Sequence, residues 1–176
     1  MWSRTIAVVL CWTAATVATA SAQSRGVELG IDGGFSYKVN DPTVFQIDIP
    51  ISRFRVGFMV SDHVSVEPAI EFDMIKVEGE DAVTALGAQL GLLYHFSADA
   101  TTSQAFFHPF AGISWFDFGE GSASQFHAGG GLGVKLPVAS QLAVRLEAGF
   151  QYAFESDDFD KATSIFALIG FSFRTK

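Results

Sequence analysis

Cysteine is almost absent: the 176 residues contain one, Cys11, in the N-terminal segment. No intrachain disulfide can form, so an exported fold must take its stability from elsewhere. Long apolar runs are missing too. Beyond residue 22, no window reaches the roughly 18 uninterrupted apolar residues of a membrane-spanning helix. Basic residues are scarce, with 11 Lys and Arg against 19 Asp and Glu and a formal charge of −8. That balance argues against nucleic acid as a partner. His95, His108 and His127 lie in no ligand-like spacing with other His, Cys or carboxylate residues, so no metal or other cofactor is expected.

What is present begins with an export signal. Arg4 supplies a positive start, Ile6 to Val17 a short apolar region, and Ala20-Ser21-Ala22 the small-residue pattern before a cleavage ahead of Gln23. Leu10 precedes Cys11 where a lipoprotein signal needs a small residue, so lipidation is not expected. The expectation is a cleaved signal peptide over 1–22 and one domain over 23–176, which loses Arg4 and becomes one unit more negative. An exported, apolar, acidic chain without a spanning helix points to a transmembrane β-barrel.

The periodicity agrees. In GVELGIDGGFSY, Val27, Leu29, Ile31, Phe35 and Tyr37 alternate with Glu28, Gly30, Asp32, Gly34 and Ser36, the pattern of a strand between two environments. A second run carries Phe45, Ile47, Ile49 and Ile51, slips by one at Ser52-Arg53, and continues through Phe54, Val56, Phe58 and Val60. Such a slip predicts a β-bulge, and Pro50 beside it fits an interrupted ladder. Six further strands follow: Val64–Met74, Thr84–Phe96, Phe106–Phe118, Phe126–Leu136, Ala143–Phe154 and Ser164–Phe173. The fifth, FFHPFAGISWFDF, is apolar on both faces and cannot be phased. The fold expected is all-β, an eight-stranded antiparallel up-and-down transmembrane barrel.

Connections fall into two sets. Ser61–His63, Ser97–Ala105 and Pro137–Gln141 form one; Lys38–Thr43, Lys76–Val83, Gly119–Ser124 and Glu155–Ala162 form the other and hold most of the unpaired acids. With both termini periplasmic, the acidic set faces outward. Aromatic residues collect at strand ends. Tyr37, Phe45, Trp115, Tyr152 and Phe154 fall at the outer ends, and Tyr94, Phe96, Phe171 and Phe173 at the inner ones, with Phe106 and Phe107 beside them. Two such belts around aliphatic centres are expected where strands cross lipid.

The stretches FRVGFMVSDHVSVEP (54–68), LGLLYHF (90–96), GGGLGVKLPV (129–138), LAVRLEAGF (142–150) and ALIGFSF (167–173) resemble the small eight-stranded outer-membrane barrels, the OmpA/OmpX-like barrel domains. The resemblance spans the whole of 23–176. It implies a monomeric protein of the Gram-negative outer membrane, contacting membrane lipid and lipopolysaccharide. It also implies recognition of the last strand by the barrel-assembly machinery, although Arg174-Thr175-Lys176 follow the closing Phe173.

The polar faces hold Arg55, Glu67, Glu71, Asp73, Lys135, Arg145 and Glu147. An eight-stranded barrel is just wide enough for side chains to fill it, so these are expected to form a lumenal network without catalysis. Arg55, Lys135 and Arg145 are expected to pair with Glu67, Glu71 or Glu147, since an unpaired buried charge is costly. HAGGGLGVK lacks the Lys-Ser/Thr ending of a phosphate loop; its glycines are expected to make room for the charged side chains of neighbouring strands. Two alternatives remain. A lipid A-modifying enzyme would use a His and a Ser two residues apart, the spacing of His63-Val64-Ser65, but no acid is placed to orient the His. A soluble lipocalin-like carrier of an apolar ligand would put its aliphatic face inward instead. The acidic outer loop with Asp157, Asp158 and Asp160 could bridge divalent cations to lipopolysaccharide phosphates. No motif names a surface partner.

Overall fold

The computed structural model describes residues 26–39, 44–75, 83–117 and 121–175, without the side chains of 44–51, 73–75 and 83. The expected signal peptide, the side chains of Phe45 and Asp73, and Phe118 lie outside the described residues.

Alternation of period two becomes eight strands: β1 (Val27–Lys38), β2 (Val44–Met59), β3 (Val64–Ile75), β4 (Val83–His95), β5 (Gln104–Asp117), β6 (Ser122–Ala139), β7 (Leu142–Ala153) and β8 (Ala162–Arg174). Each pairs antiparallel with its sequence neighbour, and β1 pairs with β8 from Glu28↔Arg174 to Lys38↔Ser164. The result is a closed eight-stranded barrel. Closure leaves no free sheet edge, which meets the backbone's hydrogen-bonding requirement without helices. The start of β1 and the end of β8 share one mouth with connections 60–63, 96–103 and 140–141. Among the described residues, the other mouth carries the acidic connection 154–161.

The slip expected at Ser52-Arg53 is a bulge: Asp32 faces Arg53 while Gly34 faces Asp48, so β2 bows out between them. Near Pro68, the β2–β3 ladder skips from Arg55↔Ala69 to Phe58↔Val66 in unchanged register, consistent with the amide hydrogen that proline lacks. Some boundaries differ from expectation. β6 runs through Pro137 to Ala139, with a register irregularity absorbing the proline, so β6 and β7 are joined by Ser140 and Gln141 alone. β5 starts at Gln104 rather than Phe106, because Gln104 turns inward and its Nε2 donates to the Ser97 carbonyl at 2.6 Å.

The barrel is polar inside and apolar outside. Aliphatic side chains at strand centres, among them Ile70, Leu90, Leu132 and Ile169, are exposed, while Glu28, Asp32, Arg55, Glu67, Lys135, Arg145 and Glu147 are buried. β5 now has a phase. Gln104, Phe106, His108 and Phe110 face the lumen, and Phe107, Ala111 and Trp115 face outward. Phe106 therefore leaves the inner aromatic belt expected for it; it is fully buried. Tyr37, Tyr94, Phe96, Trp115, Tyr152, Phe154, Phe171 and Phe173 are exposed on the outer surface toward strand ends.

Candidate functional site

The inward faces of β1, β2, β3, β6 and β7 bring their charges to one level of the lumen. Arg55 of β2 lies at the centre of the first group and is wholly buried. Its Nε donates to Asp32 Oδ2 at 2.8 Å and its Nη2 to Ser172 Oγ at 2.7 Å. Its Nη1 reaches Glu28 Oε1 at 3.2 Å and Glu67 Oε2 at 3.3 Å. Arg145 of β7 anchors the second group. Its Nη1 donates to both oxygens of Glu67 at 2.8 Å and its Nη2 to Glu147 Oε2 at 2.6 Å. The guanidinium also lies 4.6 Å from the Phe106 ring centre, a cation–π contact in a desolvated setting. Glu67 joins the two groups, because it accepts from both arginines.

Lys135 departs from the expected pairing. Its partner is Glu28, at 2.6 Å, and not Glu67, Glu71 or Glu147. Arg55 likewise takes Glu28 and Asp32 besides Glu67, and Glu71 pairs with Arg53. Parity assigns a residue to the lumen but says nothing of which residues meet across it; strand tilt and closure decide that. Glu28, Asp32, Arg53 and His108 were not among the residues expected in the lumenal network. Glu28 and Asp32 already alternate correctly on β1 and could have been found. Arg53 sits at the phase slip, and His108 lies in the strand whose faces are both apolar.

Space for these side chains comes from glycine. A Cβ on Gly30 would collide with the Arg55 guanidinium, and one on Gly131 would sit 2.6 Å from Glu147 Oε1. In the Gly129–Gly133 run the room goes partly to aromatics, since Gly133 lies under the Phe106 ring and Gly129 under Phe110. The expectation that these glycines serve charged neighbours is thus right for Gly131 and incomplete for the other two.

His95, His108 and His127 sit on β4, β5 and β6 and face inward. His108 Nδ1 meets Glu147 Oε1 at 2.8 Å, His127 Nδ1 meets Ser114 Oγ at 3.4 Å, and His95 Nε2 meets Ser65 Oγ at 3.1 Å. The last contact bears on the His63-Val64-Ser65 spacing. Ser65 is buried in the lumen beside His95. His63 is exposed in the turn, where its ring nitrogen Nδ1 donates to the His95 carbonyl at 2.8 Å and its ring stacks on Tyr94. The two residues point to different compartments and form no nucleophile–base pair. Among the described residues no group of three or more His, Cys, Asp or Glu could hold a metal.

Outside the wall, the 96–103 connection is ordered locally: Asp99 Oδ1 accepts from the Thr101 hydroxyl at 2.6 Å and its amide at 2.9 Å. These bonds to the ionised form hold the Asp99 carboxyl below its ordinary value. At the opposite mouth, Gln125 Nε2 donates to the carbonyls of Phe154 and Asp160, and Phe159 packs on Phe116. The acidic 154–161 connection is thereby tied to the inner rim of β5 and β6.

No protein-family model and no curated protein sequence matches the chain. Solved structures do. Neisserial surface protein A superposes with a TM-score of 0.62 at 13% identity, over 84% of this chain and 96% of that one. The N-terminal β-barrel domain of Pseudomonas aeruginosa OprF gives 0.56 at 15%, over 85% and 97%. Ail, the attachment invasion locus protein of Yersinia pestis, gives 0.51 at 12%, over 85% and 98%. The chain has the fold of the small eight-stranded outer-membrane barrels.

Proposed function

We propose that the protein is an integral outer-membrane barrel, closed to solutes by its salt-bridged lumen, with a structural or surface-interaction role and no catalysis. The observation that carries this reading is the inversion of polarity. A wall with Leu90, Leu132 and Ile169 exposed and Arg55 and Arg145 buried is suited to lipid, and a soluble carrier would show the reverse. The exposed Tyr and Trp side chains near the strand ends suit the two headgroup levels, with lipopolysaccharide at the acidic mouth. Export by the 1–22 segment and insertion through β8 by the assembly machinery complete the reading. The loops, ending in an acidic rim, are the part available to other surfaces.

The test is expression of the full chain in a Gram-negative host. The protein is expected in the outer-membrane fraction, with heat-modifiable gel migration and no discrete conductance steps in planar bilayers. A mature chain that stays monomeric in plain buffer overturns the membrane assignment. Step conductance overturns the closed lumen. Loss of a lipid-modifying activity in His63→Ala overturns the non-catalytic role.

A further inference from the structure

A pocket opens at the mouth where β1 starts and β8 ends, and its chemistry is unlike the rest of the lumen. It is lined by Glu28, Gln104, Lys135, Gln141, Ser172 and Arg174, with the 96–103 connection on one side. Its free volume is about 30 Å³, room for roughly two waters or the two oxygens of one carboxylate.

Lys135, Ser172 and Arg174 keep hydrogen-bond donors to give there. Lys135 is buried and its ammonium has three donors, of which one goes to Glu28 Oε1 at 2.6 Å. Ser172 Oγ accepts from Arg55, which leaves its hydroxyl hydrogen to give. The Arg174 guanidinium donates no hydrogen bond among the described residues; its nearest carboxylate oxygen is Glu28 Oε2 at 3.6 Å. Glu28 is meanwhile shared by Arg55 and Lys135 through its other oxygen. Arg53, Arg55 and Arg145 each hold a carboxylate in closer contact than Arg174 does, whose ion-pair partner among the described residues is Glu28 at 3.6 Å. Arg174 is also about one-third exposed and so reachable from solution. The acidic 154–161 connection lies at the far mouth, too distant to neutralise it across several Debye lengths.

We propose that this pocket binds a carboxylate group at the periplasmic-side mouth, gripped by Arg174 in front and by Lys135 and the Ser172 hydroxyl behind. Guanidinium offers a planar fork matched to a carboxylate, and the partly enclosed setting limits screening by water. Two sources share that chemistry, a free small carboxylate and the C-terminal end of a peptide.

The experiment uses the full mature chain folded in detergent micelles, with acetate, Ala-Ala-Ala and its C-terminal amide as probes, read by amide chemical shifts. Saturable shifts at Gln104, Gln141 and Arg174 are expected with acetate, with no response to the amide. Arg174→Gln is expected to weaken binding at least tenfold while keeping heat-modifiable migration. Tripeptide binding at least tenfold tighter than acetate supports a peptide end; equal binding supports a free carboxylate. No saturable shift, or an equal response to the amide, overturns the proposal, and neither depends on the variant folding. A folded Arg174→Gln that binds as well as the parent also overturns it.

Discussion

Replacing Arg145 by Met tests whether the lumen is dry and filled or wet and open. The guanidinium makes bonds of 2.8 Å to each oxygen of Glu67 and 2.6 Å to Glu147, and covers Phe106. Met keeps much of the volume and removes the charge. Glu67 retains Arg55 at 3.3 Å, but Glu147 is left with His108 as its close partner. Stranding a buried carboxylate typically costs about 3–5 kcal/mol. A solvent-screened ion pair is worth about 0–1 kcal/mol. With a urea dependence of about 2 kcal/mol per molar, the buried case shifts the unfolding midpoint by about 2 M. Reversible urea unfolding in lipid vesicles, followed by tryptophan fluorescence, gives the number. The double variant Arg145→Met/Glu147→Gln removes the stranded charge and is expected to recover about half the loss. A single-variant cost below about 1 kcal/mol, with no recovery in the double, refutes the reasoning and indicates water throughout the lumen.

Gly30→Ala places a methyl against the Arg55 guanidinium, which is held on several sides, and is expected to cost about 1–3 kcal/mol in the same assay. Gly121→Ala, with nothing within 4 Å, is the matched control and should be near neutral. Leu132→Arg, on an exposed strand centre, is expected to destabilise the vesicle-embedded barrel by about 2–4 kcal/mol; a soluble barrel would tolerate it with little change. Thr175→Val removes hydroxyl bonds of 3.1 Å to the amide and carbonyl of Val27 and should loosen the β1–β8 seam by about 1 kcal/mol, read as lost amide protection. Because the folded Asp99 carboxyl titrates below its unfolded value, the order of the 96–103 connection is present above the ordinary aspartate range and is lost as pH falls through the lowered value. Thr101→Val should move that titration, followed by carboxyl carbon shifts, back toward the ordinary value.

Sequence alone determined the barrel. Alternation in seven of the eight strands, without a helix-length apolar run, allows little else for so acidic a chain, because side chains on a strand must alternate faces whatever the tertiary arrangement. The same parity placed Arg55, Glu67, Lys135, Arg145 and Glu147 on one face and located the β2 bulge. It failed where local pattern carries no contrast. β5 has apolar residues on both faces, so only closure against β4 and β6 could turn Phe106, His108 and Phe110 inward and Trp115 outward. Partner choice was also beyond it. Lys135 meets Glu28 across 107 residues of chain because strand tilt and ring closure bring β6 and β1 to one height in the lumen. The unexplained tail after Phe173 gained its place the same way: Thr175 is held by Val27 and Arg174 lines the mouth only because the first and last strands are neighbours. Periodicity is a local property of the backbone and can be read along a line, whereas the contents of a lumen depend on how that line closes into a ring.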